Sequence, residues 1–155
     1  MDVIKSPSAF DASEKTSIFL AGTIDNGNSK DWQKDVEHAL KDQDVLVFNP
    51  RRDEWDASWE QSISNPIFKQ QVEWELEALE SSTVIFLYFT AESKSPISLL
   101  ELGLHAASNK LIIVCPDGFW RLGNIEVVAQ RYKIPLYKNL DSGIAALKKT
   151  LQAMQ

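Results

Sequence analysis

Residues 84–108, VIFLYFTAESKSPISLLELGLHAAS, decide the fold. Val84 to Phe89 is an unbroken apolar run rich in β-branched and aromatic residues, too short for a membrane span, and reads as a strand buried on both faces. After the small polar loop TAESK, Ser95 and Pro96 predict the start of a helix. Serine can cap free N–H groups, and proline at the first helical position loses no hydrogen bond. On that helix the spacing predicts one stripe of Ile97, Glu101, Leu104 and Ser108 with Leu100 beside it, so that Glu101 faces the sheet. A buried carboxylate must be paired, sit at a cleft or hold its proton. A helix start that follows a strand of an open α/β sheet is also where such folds bind ligands.

The totals narrow the function. The chain has 155 residues, 44% hydrophobic and 25% charged, which is enough for one α/β domain with a real core. Its net charge of −6 argues against a polyanion-binding surface, so a small ligand is expected and a nucleic-acid polymer is not. No run approaches bilayer length and no basic-then-apolar leader opens the chain, so a soluble, cytoplasmic protein with no membrane contact is expected. Cys115 is the only cysteine, and the two histidines lack ligand-spaced neighbours, so no metal centre or other cofactor is expected. His105, four residues after Glu101, reads as completing a packed helix face.

Outward from the central stretch, strand and helix alternate. Residues 1–16 lack periodicity and read as a flexible tail; 17–155 read as a single domain. Ser17 to Leu20 predicts the first strand, and Ala21-Gly22-Thr23 supplies small residues where the backbone must pass close to something. A helix over Asp31 to Leu40 follows, capped by Ser29 or Asp31, then a strand over Val45 to Phe48 stopped by Asn49-Pro50. Arg51-Arg52 lead into DEWDASWEQSISN, a long aperiodic loop with two tryptophans; loops of this length tend to be functional or disordered. Ile67 to Glu80 predicts a helix with Phe68, Val72, Leu76 and Leu79 inward and Glu75 at the border. Strands over Leu111 to Cys115 and Ile134 to Tyr137 follow. A short helix running to Gln130 lies between them, and a closing helix is capped by Asp141 or Ser142. Five such alternations predict a three-layer α/β/α sandwich around a five-stranded parallel sheet, flavodoxin-like in order and Rossmann-like in class. Its post-strand loops would gather at one edge, with Glu101 and Glu75 facing it.

Two carboxylates at one cleft suit glycosidic chemistry, one attacking the anomeric carbon and the other moving a proton. Tryptophans at loop tips could stack a base, and Arg51, Arg52 and Arg121 could hold a phosphate or pair with the acids.

The motif LLELGLHAA, preceded by SPIS and a hydrophobic strand, resembles the nucleoside 2-deoxyribosyltransferases and the related nucleotide N-glycoside hydrolases, from about Ser17 to Asn124. The resemblance implies that Glu101, with Gly103 and Ala106-Ala107 in the place of an ExGxA pattern, attacks C1′ of the sugar. It implies that Glu75, eight residues before Thr83, is the acid of the preceding helix. Ser95, six residues before Glu101, matches the serine with which the hydrolases touch phosphate. Asn124, in WRLGN, matches an asparagine offered across a subunit interface, and Ile18 to Gly22 match the opening IYxxG. The substrate-binding set is therefore Phe19, Gly22, Thr23, Asn49, Arg51, Ser95, Ser98, Arg121 and Asn124. Phe19 stands where the family has tyrosine, Glu75 where it has aspartate, and Asp25 where the hydrolases have arginine. The implied function is cleavage or transfer of the N-glycosidic bond of a nucleoside or nucleotide by a homo-oligomer. The alternative is a silent module that binds a nucleotide and releases it intact.

Overall fold

The computed structural model describes residues 1–24 and 29–155. Among these, six strands and five helices run in the order β1 (Asp2–Lys5), β2 (Ser17–Gly22), α1 (Trp32–Leu40), β3 (Leu46–Asn49), α2 (Pro66–Ser81), β4 (Val84–Tyr88), α3 (Pro96–His105), β5 (Leu111–Val114), α4 (Leu122–Tyr132), β6 (Leu136–Tyr137) and α5 (Leu140–Ala153). The sheet order is β1-β3-β2-β4-β5-β6 and every pairing is parallel. Without β1 this is the flavodoxin-like order, whose direction reverses between β2 and β4.

Alternation along the strands divides the core into two layers. Phe19, Ala21, Ile85, Leu87 and Ile113 pack under α2, α3 and α4 with Trp74, Ala78, Leu102 and Ile125. Ile18, Leu20, Phe86, Ile112 and Val114 pack under α1 and α5 with Trp32, Val36, Leu147 and Leu151. Strands covered on both faces explain the unbroken apolar runs. Among the described residues no helix is long and apolar enough to cross a membrane.

The structure corrects several expectations. The sheet has a sixth strand, because Asp2 to Lys5 pair with Leu46 to Asn49 at the sheet edge. Residues 6–10 of the expected tail also dock: Ser6 Oγ donates to Gln71, Trp74 Nε1 donates to the Ser8 carbonyl at 2.8 Å, and the Phe10 ring lies 4.5 Å from that of Phe48. A four-residue strand with only one paired edge leaves too short a pattern to read.

The faces of two helices also differ from their expected stripes. On α2 the buried residues are Gln71, Trp74, Ala78 and Leu79, while Leu76 is exposed. On α3 they are Ser98 and Leu102, and Ile97, Leu100 and Leu104 are 60%, 58% and 57% exposed. Both helices carry apolar residues on several sides, so composition alone does not select the face that meets the sheet. Caps shift as well. Ser95 makes no capping bond and sits in the left-handed region at φ 45°. Asp31, one of the two expected caps, does cap α1 through Lys34 N, whereas Asn139, not Asp141 or Ser142, caps α5.

Candidate active site

Glu75 and Glu101 come from adjacent helices on one face of the sheet, over the strand pair at which the order reverses. The rotated face of α2 carries Glu75 inward one turn after Gln71. Both carboxyls are half-buried. Burial pushes Glu75 from its ordinary value of 4.5 up to about 7, although the hydrogen bond it accepts from Gln71 Nε2 at 2.9 Å favours the charged form. Burial, and after it the negative charge of Glu75, push Glu101 up to about 8. The two repel as anions, and the repulsion falls on whichever loses its proton second. Near neutral pH the arrangement favours one carboxylate and one carboxylic acid.

Gln71 was not foreseen among the candidate residues, yet it braces Glu75. Its Oε1 accepts from Ser6, and its amide donates to the Pro50 carbonyl at 3.1 Å as well as to Glu75. The available signal was its position four residues before Glu75, on the same helix face.

At the strand ends a cluster of hydroxyls closes the other side. Thr23 Oγ1 lies 2.7 Å from Ser95 Oγ and 3.1 Å from Ser93 Oγ, the two serines are 2.8 Å apart, and Thr90 N donates to Thr23. The left-handed turn at Ser95 directs its hydroxyl into this cluster and away from the helix N–H groups. Gly22, at φ 137°, lets β2 pass Tyr88; a Cβ there would run into the Tyr88 carbonyl.

The remaining expected residues take different places. Phe19 is wholly buried in the core layer under α2 and α3, its ring 6.5 Å from that of Trp74. Ser98 is buried on the inner face of α3, one turn before Glu101. Asn49 uses both ends of its amide, donating to Glu37 and accepting from Arg51 N, so it shapes the loop. Arg51 ties the loops after β2 and β3 together, through the Ser29 carbonyl at 3.0 Å and Asp31 at 3.9 Å. Arg121 lies over the Trp120 ring at 4.4 Å, opposite no carboxylate of the pair, and Lys94 approaches the same ring at 4.5 Å. Trp120 Nε1 donates to the Lys94 carbonyl, which joins the start of α4 to the Ser93–Ser95 loop. Asn124 is exposed on the first turn of α4. Asp25 lies outside the described residues.

Hollows in the surface lie elsewhere. One of about 270 Å³ opens among Thr83, Lys110, Tyr132 and Thr150, and another adjoins Phe10 and Glu77. Neither of these two includes Glu75 or Glu101.

A parallel sheet covered by helices on both faces, with two half-buried carboxyls beside its reversal point, defines a doubly wound α/β protein. Within that class the chain belongs to the family described as nucleoside 2-deoxyribosyltransferase like, which matches residues 15–119. No curated protein matches the chain. The matched span holds both carboxyls and the hydroxyl cluster, and ends before Arg121 and Asn124.

Proposed function

We propose that the protein cleaves or transfers the N-glycosidic bond of a nucleoside or nucleotide, with Glu101 as nucleophile and Glu75 as its acid/base partner. The observation that carries this reading is the carboxyl pair, raised to about 7 and about 8 on adjacent helices. In the singly protonated pair with its proton on Glu75, the Glu101 carboxylate attacks C1′; the C1′–N bond breaks and its electron pair leaves with the base, which takes that proton. Water or a second base then attacks C1′, Glu75 receives the incoming proton, and the Glu101–sugar bond breaks. Thr23, Ser93 and Ser95 position the sugar side. The chemistry needs no metal or organic cofactor. A lone cysteine suits a reducing cytoplasm.

We infer that a second copy of the chain packs on the exposed, uncharged face of Ile97, Leu100 and Leu104 on α3. Leu100→Glu is expected to sediment at lower mass than the wild type while keeping its helical circular dichroism.

Incubation with a panel of nucleosides and monophosphates, with and without a free base, tests the reading by chromatography of released or exchanged base. Release without acceptor identifies a hydrolase, and exchange only with acceptor a transferase. Glu101→Ala is expected to lose at least about 10³-fold in rate; full activity in that variant would sink the mechanism. The wholly buried Phe19, with no hydroxyl, favours the silent binding module as the second reading. Its mark is calorimetric binding of a nucleotide recovered intact.

A further inference from the structure

The family match begins at residue 15, so β1 and the segment after it lie outside the shared span. That segment is nonetheless tied to the carboxyl pair. Parallel register sets Lys5 opposite Asn49 at the β3 exit, and Ser8 N donates to the Lys5 carbonyl at 2.9 Å, closing a turn over Ser6 and Pro7. Trp74 Nε1 on the Ser8 carbonyl and the Phe10 ring against the Trp74 ring fix this turn to α2. Pro7, Ser8 and Ala9 are exposed, whereas Ser6 is only 6% exposed, its hydroxyl turned inward. A buried hydroxyl needs a partner, and this one donates to Gln71 Oε1.

The amide of the buried Gln71 carries one acceptor oxygen and two N–H donors. The Pro50 carbonyl and the ionised Glu75 carboxyl can only accept, so they take the N–H bonds and decide which way the amide faces. Its oxygen then needs a donor, and Ser6 supplies one. An O–H on the amide oxygen polarises the group and strengthens its N–H donors, among them the one that favours the charged form of Glu75. Without that O–H the oxygen is a buried orphan, and the amide is drawn off Glu75 toward water.

We propose that Ser6 is a positioning residue for Glu75: the N-terminal turn holds the Gln71 amide with its N–H on the carboxylate. The part Ser6 plays in turnover rests on the glycosidic reading, while its hold on the Glu75 proton does not. Burial and the Glu101 carboxyl on α3 also act on that proton. Burial and the hydrogen bond separate by sign. Loosening the turn and admitting water lowers the proton affinity of Glu75, whereas losing the N–H bond raises it.

The full chain, isotope-labelled at the glutamate carboxyls, is titrated by NMR, with the Glu75 signal assigned by its loss in Glu75→Gln. Ser6→Ala is expected to raise the Glu75 midpoint by about half a pH unit, about threefold in proton affinity. Ser6→Thr keeps the hydroxyl and is expected to restore it. With Gln71→Met in place, Ser6→Ala is expected to add nothing, since the influence passes through the amide. Should alanine fail to fold, Ser6→Cys, of similar size and a weak donor, takes its place with a shift of the same sign. An unmoved or lowered midpoint in the folded variant, an equal rise in Ser6→Thr, or a full shift surviving beside Gln71→Met overturns the proposal. Where base release is observed, the alkaline limb of kcat/KM is expected to follow the titration. A shifted titration with no turnover on any nucleoside or nucleotide sinks the glycosidic reading alone; turnover with an unmoved titration sinks the Ser6 assignment alone.

Discussion

Two carboxyl groups whose proton affinity is raised by folding carry a thermodynamic signature. Each has a folded value above the 4.5 of an ordinary glutamate, so the native state binds the extra protons more tightly than the unfolded chain. Their contribution to stability is fully present below about pH 4.5 and is lost as pH rises through about 7 and 8. Each tenfold gain in proton affinity on folding is worth about 1.4 kcal/mol. Glu101→Gln removes a group that must ionise at a cost, so its melting temperature is expected to rise relative to wild type between pH 5 and pH 9, by roughly 5 °C. Thermal melts across that range check the sign; a constant difference would mean that Glu101 titrates as an ordinary carboxylate. The sequence identified both glutamates, Glu101 from its place on the helix and Glu75 chiefly through the family resemblance. It could not show their shifted protonation, which arises from helix packing and mutual repulsion.

The second helix shows how a face can be invisible while a span is plain. Asn65 and Pro66 mark its start, and apolar spacing carries it to Ser81. Its inner face is set by Trp74 filling the space beside Phe48 and Phe10, which no periodicity of Phe68, Val72 and Leu76 reveals. The same packing turns Gln71 inward, where it holds the β3 exit and Glu75 together. Gln71→Ala is expected to destabilise the fold by about 1–3 kcal/mol, since the Pro50 carbonyl loses its donor. It is also expected to raise Glu75 further, since the bond that favoured its charged form is gone. The alkaline limb of the kcat/KM profile, set by loss of the Glu75 proton, should move to higher pH, a change that a purely structural role for Gln71 would not produce. On α3, leucine or isoleucine stands at positions 97, 99, 100, 102 and 104, so the pattern admits several faces and the sheet chooses Ser98 and Leu102.

Across the whole molecule, the alternation of strands and helices was legible because each element is short, contiguous and bounded by Gly, Pro, Asn or Ser. Tertiary partnership was less so, because it depends on pairs far apart in the chain: Ser6 with Gln71, Arg51 with Ser29, and Asp2 to Lys5 with the strand at Leu46 to Asn49. That last pairing has a further consequence. Leu46, Val47 and Phe48 are fully apolar, and β1 with Phe10 stands between their outer edge and water. A chain shortened by its first ten residues would present an open, flat edge with an uncovered aromatic layer, the kind of surface on which sheets of separate molecules join. The first strand, short and bearing Asp2 and Lys5, is therefore the edge the sheet presents to other molecules in place of the apolar Leu46 to Phe48.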